Sequence, residues 1–197
     1  MMQTTQLPGF RYPVYDAQKT FRALLDAIAR PGTLYPIPAK LQPPAGLTPA
    51  CALASLTLLD LETRVWLPPD WPAEVEAWLR FHTGCSFVAE TKSADFALLN
   101  ANQVQLNAFS RGTTTDPETS ATLLIQVADF SSGPKVELRG PGIQTREEIR
   151  PAISAQFWQQ WQRYQDYPLG IDVFLFTADG VLGLPRSVNV ELAQEVR

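Results

Sequence analysis

The chain has little of the reactive chemistry that most enzymes rely on. Its 197 residues include one histidine, His82, and two cysteines, Cys51 and Cys85. A zinc centre draws three or four ligands, mainly from His and Cys, so a thiolate or imidazole metal site is close to excluded. Two scattered cysteines make no disulfide framework and fit a reduced, cytoplasmic setting. Lysine is scarce too, at Lys19, Lys40, Lys92 and Lys135. None of the four stands beside a glycine-rich anion loop, as the Schiff-base lysine of a pyridoxal phosphate enzyme would. Charged residues make up only 18% of the chain and the net charge is −4, which offers nucleic acid no basic surface. No run of ~18 apolar residues exists, so no membrane span is expected. The opening MMQTTQLPGF lacks a basic n-region and an apolar h-region, so no secretory signal is expected either.

Apolar residues and proline are abundant. A hydrophobic fraction of 45% with few charges implies a packed globular domain rather than a disordered chain. The length fits one domain, expected over residues 15–191, with tails at 1–14 and 192–197. The 17 prolines act as punctuation. Over residues 16–29, Phe21, Leu24, Leu25 and Ile28 recur at i, i+3, i+4 and i+7, which predicts an amphipathic helix ended by Arg30-Pro31-Gly32. A proline-rich crossing follows at 35–49. Thr48 is then placed to cap a buried Ala/Leu helix at 50–60, with Pro49 at its first position. Another helix opens near Pro72 and turns Val75, Trp78 and Leu79 inward. Strands are expected at 64–67, 95–99 and 121–130, the last turning at Ser131–Pro134 into a strand at 136–139. A helix at 152–164 carries Phe157 and Trp161. Strands at 171–177 and 181–184 are joined through Ala178-Asp179-Gly180, a hairpin signal. The pattern is that of a mixed α/β domain with its strand order open.

The candidate chemistry is thin. His82 ends its predicted helix, where an imidazole suits the negative end of the dipole; a ligand role stays open beside that structural one. No G-x-S-x-G elbow, G-x-x-x-x-G-K-[ST] loop or G-x-G-x-x-G turn is present. The best anion-binding candidate is the loop Ser110-Arg111-Gly112-Thr113-Thr114-Thr115, whose guanidinium and hydroxyls could gather phosphate oxygens. The plainer alternative is a turn whose hydroxyls satisfy their own backbone. Glu147-Glu148 reads as a pair ahead of a helix that compensates its dipole. Asp60, Glu62 and Asp172 have no nameable partner. On residues alone the domain has no self-sufficient active site.

The punctuation does form an ordered set. Phe21-Arg22 through Ala29-Arg30-Pro31-Gly32-Thr33 is followed by Leu79-Arg80-Phe81-His82-Thr83-Gly84, then by Arg111-Gly112-Thr113 and Pro117-Glu118-Thr119-Ser120-Ala121. Leu138-Arg139-Gly140-Pro141-Gly142, Pro168-Leu169-Gly170-Ile171-Asp172 and Leu184-Pro185-Arg186 complete it. From about residue 15 to 191 this resembles the PhnH family, the H subunit of the bacterial carbon–phosphorus lyase system for phosphonate use. Ser187-Val188 departs from the Thr-Thr pair of the family pattern, and Ser120 stands where glycine is common.

The resemblance implies a single α/β domain, a mixed sheet flanked by helices, similar to the pyridoxal-phosphate-dependent transferases but without the cofactor. It implies a homodimer for the isolated chain and the G, I and J subunits as partners in a core complex. That system makes alpha-D-ribose 1-methylphosphonate 5-triphosphate from ATP and methylphosphonate, and this subunit is expected to be accessory rather than catalytic. The alternative is a stand-alone enzyme or binding protein for a phosphorylated or phosphonate metabolite. The family offers no catalytic residue to carry over. Arg80, His82, Thr83, Arg111, Gly112, Thr113 and Arg186 are the candidates for a polar cleft taking a phosphonate or nucleotide.

Overall fold

The computed structural model describes residues 7–37 and 40–192. Four helices are present: α1 (Pro13–Ala29), α2 (Pro49–Leu58), α3 (Ala73–Thr83) and α4 (Ala155–Tyr164). Ten strands follow in chain order: β1 (Tyr35–Pro36), β2 (Arg64–Trp66), β3 (Ser86–Phe87), β4 (Phe96–Asn100), β5 (Thr122–Gln126), β6 (Val136–Arg139), β7 (Glu147–Ile149), β8 (Asp172–Phe176), β9 (Gly180–Leu184) and β10 (Asn189–Leu192). Seven of them form one mixed sheet in the order β1-β9-β8-β5-β4-β2-β3, and β10-β6-β7 form a second. In the large sheet β3, β2, β4, β5 and β8 run parallel, while β9 is antiparallel to β8 and β1 is antiparallel to β9.

Side chains alternate across the large sheet, and each set enters its own core. Ala97, Leu99, Leu123, Ile125, Val173, Leu175, Leu182 and Leu184 face α4 and the small sheet, around Phe157, Trp158 and Trp161. Leu98, Leu124, Phe174, Phe176 and Val181 face the three other helices, against Leu24, Leu53, Trp78 and Leu79. Near-continuous apolar runs such as 173–176 follow from this, because a strand in mid-sheet is covered on both faces.

Several expectations are corrected. The face of α1 that meets the sheet carries Thr20, Leu24 and Ala27, while Phe21 and Leu25 are 50% and 54% exposed. Gly183 explains the rotation: a Cβ there would lie 2.5 Å from the Ala27 carbonyl, so β9 and α1 approach through their smallest residues. The strand expected over 121–130 stops at Gln126. Its partner is not β6, which pairs instead with β10 and β7. The carboxylate of Asp129 turns the chain by accepting the N–H groups of Ser131 and Ser132, both at 2.7 Å. Glu147 and Glu148 precede no helix; they lie in β7, where Glu148 pairs with Lys135 at 2.8 Å. Of the expected tails, residues 1–6 and 193–197 lie outside the described residues.

Candidate functional site

The β8–β9 hairpin sets Asp172, first residue of β8, beside Arg186, two residues past β9. The backbone N–H of Arg186 donates to Asp172 Oδ1 at 2.8 Å, and the guanidinium donates through Nε and Nη2 to Oδ2. Its remaining arm, Nη1, reaches the Pro117 carbonyl at 2.6 Å. Pro117 opens a 3-10 turn (Pro117–Thr119) that packs onto Gly112. Gly112 has φ +77, and a Cβ would sit 2.5 Å from the Pro117 carbonyl oxygen, so glycine is required there twice over. Thr113 closes the same loop: its N–H donates to the Asp116 carbonyl, and its hydroxyl accepts the Asp116 N–H at 3.0 Å.

Arg111 joins this cluster from the other side. Its carbonyl accepts from Gly170 N–H, its backbone bridges to Ser120, and its Nη1 donates to the Tyr164 carbonyl at 3.0 Å. The guanidinium carbon lies 4.8 Å from the centre of the Tyr164 ring, a cation–π contact. Arg111, Gly112, Thr113 and Arg186 are thus brought together at the amino ends of β5 and β8. Arg186 spends three of its five guanidinium donors on Asp172 and Pro117. Arg111 keeps most of its five, with one committed to Tyr164 among the described residues.

The other three candidates lie across the sheet at the end of α3. Arg80 pairs with Glu76 one turn back at 2.6 Å and lies over the Phe87 ring. His82 Nε2 and Trp78 Nε1 both bond the Leu7 carbonyl at 3.0 Å, and Gly9 passes directly beneath the imidazole. Thr83 back-bonds to the Leu79 carbonyl, and Gly84 at φ 74 ends the helix in a left-handed cap. This motif fastens the N-terminal segment to α3.

Several other titratable groups have structural occupations. Burial pushes the Cys51 thiol up to about 12, and burial also raises Cys85. The Arg64 guanidinium, in a forked bond of 2.6 and 3.0 Å, holds Asp95 below the usual carboxylate range. Lys92 gives its ammonium to the Asn107 and Phe109 carbonyls and the Tyr164 hydroxyl. Among the described residues no three His, Cys, Asp or Glu side chains gather to hold a metal ion, and no helix is long and apolar enough to cross a membrane.

A feature absent from the sequence reading lies at the opposite, carboxyl end of the strands. Asn100 ends β4 and Gln126 ends β5, and their amides meet: Gln126 Nε2 donates to Asn100 Oδ1 at 3.0 Å and to the Gly46 carbonyl at 2.9 Å. Gln126 Oε1 accepts the Thr48 N–H at the head of α2. These residues, with Leu47, Val127 and Ala128, line an open cleft of about 380 Å³. The only trace in the sequence is a pair of amide residues closing two apolar strands.

Fold and candidate residues together define a layered α/β domain whose signature residues are mostly fastenings. Residues 8–191 match the family described as "Bacterial phosphonate metabolism protein (PhnH)", and the chain belongs to that family. It is 34% identical over 188 residues to the "Alpha-D-ribose 1-methylphosphonate 5-triphosphate synthase subunit PhnH" of Rhizobium meliloti (strain 1021), covering 93% of this chain and 94% of that one. It is 29% identical over 178 residues, 89% of this chain and 86% of the relative, to a Stutzerimonas stutzeri protein provisionally named as a C-P lyase subunit protein, HtxG.

Proposed function

We propose that this chain is an accessory subunit of a multi-protein phosphonate-processing assembly. In this reading it contributes to making alpha-D-ribose 1-methylphosphonate 5-triphosphate from ATP and methylphosphonate without performing the chemistry itself. Likeness to a synthase subunit along nearly the whole chain carries the reading. The occupation of its motif residues in structural bonds supports it. Arg186, His82 and Thr83 are held by the fold, and Lys92, wrapped by two carbonyls and a hydroxyl, is a poor amine for pyridoxal phosphate. In this reading the chain works without that cofactor, on a fold of the pyridoxal-phosphate transferase kind. Alone it forms a homodimer; in the cell it is cytoplasmic and joins G, I and J subunits. Arg111, with unspent donors, is the residue of the original seven best placed to meet an anionic group of a partner or ligand.

Deletion of the gene in its host, with complementation, tests this directly. Growth on methylphosphonate as sole phosphorus source should be lost and then restored by the wild-type gene. Undiminished growth of the deletion strain, with no second copy of the gene, would overturn the reading.

A further inference from the structure

We infer that the outward face of α1 docks an amphipathic helix of another subunit, one whose apolar seam is flanked by Asp or Glu. Such a partner presupposes the assembly role proposed above. Ten large apolar side chains stand exposed among the described residues. Six of them, Tyr12, Val14, Tyr15, Phe21, Leu25 and Leu34, fall on α1 and the segments at its two ends. Exposed apolar surface gathered in this way marks an interaction site, whereas scattered single residues would not.

The gathered residues also have a period. Val14, Gln18, Phe21, Leu25 and Ile28 fall four, three, four and three residues apart, which lines them along one side of the helix as a heptad seam. Val14 is 86% exposed, and only Ile28, in the last turn, packs against the core. The side of α1 that meets the sheet uses other residues, Thr20, Leu24 and Ala27. The helix therefore carries two apolar faces, and the fold covers one of them. Phe21 and Arg22, which open the ordered motifs of the sequence, both stand on the uncovered side.

Charge selects the partner. Tyr15, Lys19 and Arg22 line one flank of the seam, with Lys19 over the Tyr15 ring at 4.3 Å. Neither cation pairs with a carboxylate among the described residues. The acids of α1 are already occupied: Asp16 accepts the Tyr12 N–H at 2.8 Å, and Asp26 pairs with Arg30 at 2.6 Å. Flanking charges set partner choice along a helical seam, so the complement of this one is acidic. A second copy is a poor occupant. Packed antiparallel, it would set the Lys19 and Arg22 flank against the same flank of its mate; packed in parallel, it would meet the side of Leu24, which lies against the domain. Area points the same way. The 17 residues of α1 span about 25 Å, and a stripe about 10 Å wide along them covers about 250 Å². A free-standing interface needs about 800 Å² from each partner, so the seam is one docking element within a larger set of contacts. An anionic membrane suits it less, because the chain as a whole carries −4.

The test is co-purification of the full-length tagged chain, co-expressed with the proposed G, I and J subunits. Wild type should recover them. The double variants Phe21→Ser with Leu25→Ser, and Lys19→Glu with Arg22→Glu, should each lower recovery at least tenfold. Both replace exposed side chains, so the purified variants should melt within about 2 °C of wild type and keep its mass in light scattering. A carbodiimide, which joins an amine to a carboxylate with loss of water, should link Lys19 of the wild-type assembly to an Asp or Glu of another subunit. Recovery that either double variant leaves unchanged, with wild type active in recovery, would overturn this inference alone. Failure of wild type to recover any subunit would overturn the assembly reading and this inference with it. The acidic-helix assignment would also fall if Lys19 cross-linked to a second copy, or if Phe21→Ser with Leu25→Ser turned a dimer into a monomer. Sedimentation with phosphatidylglycerol vesicles that the same double variant abolished would overturn it in favour of a membrane.

Discussion

The Arg186–Asp172 latch gives the sharpest quantitative prediction. Both side chains are mostly covered, at 16% and 25% exposed, and one guanidinium serves a carboxylate and the Pro117 carbonyl at once. Arg186→Ala leaves Asp172 with only the backbone N–H at 2.8 Å and strips the Pro117 turn of its donor. Hydrogen bonds to charged groups contribute about 1.5–3 kcal/mol each, and severing a fully buried pair costs about 3–5 kcal/mol. Partial exposure and non-additivity bring the expected loss to about 3 kcal/mol. In a domain of this size that is a fall of about 6–12 °C in melting temperature. Arg186→Lys keeps the charge but cannot hold both acceptors, so it should lose about half as much. Urea melts of the two single variants, of Asp172→Asn and of the double variant should give a coupling of about 2 kcal/mol. A loss below about 0.5 kcal/mol with no coupling would mean the pair behaves as an exposed surface bridge, and the fastening role would be wrong.

Three further outcomes are expected. Gly183→Ala should cost more than about 3 kcal/mol or prevent folding, because its methyl meets the Ala27 backbone; a near-neutral melt would show that α1 can lift off β9. Asp129, held near 2 by the Ser131 and Ser132 bonds, contributes stability that is complete above the unfolded carboxylate range near 4 and disappears as pH falls through about 2. Asp129→Asn should therefore flatten the acid melting profile between about pH 4 and 2, and an unchanged profile would refute the assignment. Cys51 and Cys85 are both buried with raised thiols, so a thiol reagent should modify them only as fast as the chain unfolds. Rapid native labelling would contradict that burial.

Much of this architecture is legible in the chain because apolar periodicity and proline are local signals. The four helices and the β8–β9 hairpin announce themselves through spacing, prolines at helix starts and an Ala-Asp-Gly turn, although the Thr48 hydroxyl expected to cap α2 makes no capping bond. Strands β1 and β3 do not, since two residues carry no period; β1 is recruited by β9 far along the chain and β3 by β2. The face of α1 misleads for a related reason: Gly183, more than 150 residues downstream, decides that Ala27 rather than Phe21 goes inward. Of the candidate residues, the sequence correctly gathers Arg111, Gly112 and Thr113 as one loop. It cannot pair Arg186 with Asp172, which the sequence leaves without a partner, because the hairpin alone joins them. The Asn100–Gln126 amide pair lies further out of reach: glutamine and asparagine at strand ends are unremarkable until the sheet order sets β4 beside β5.

The central claim is that this chain supports a reaction it does not catalyse. Reconstitution tests it most directly: the purified chain alone, the proposed G, I and J partners with the L protein of the same system but without this chain, and the full set are each given MgATP and methylphosphonate. Phosphorus NMR then follows formation of ribose 1-methylphosphonate 5-triphosphate. The account predicts product only from the full set and none from the isolated chain. Turnover by the chain alone, or an undiminished rate from the set that lacks it, would contradict the account.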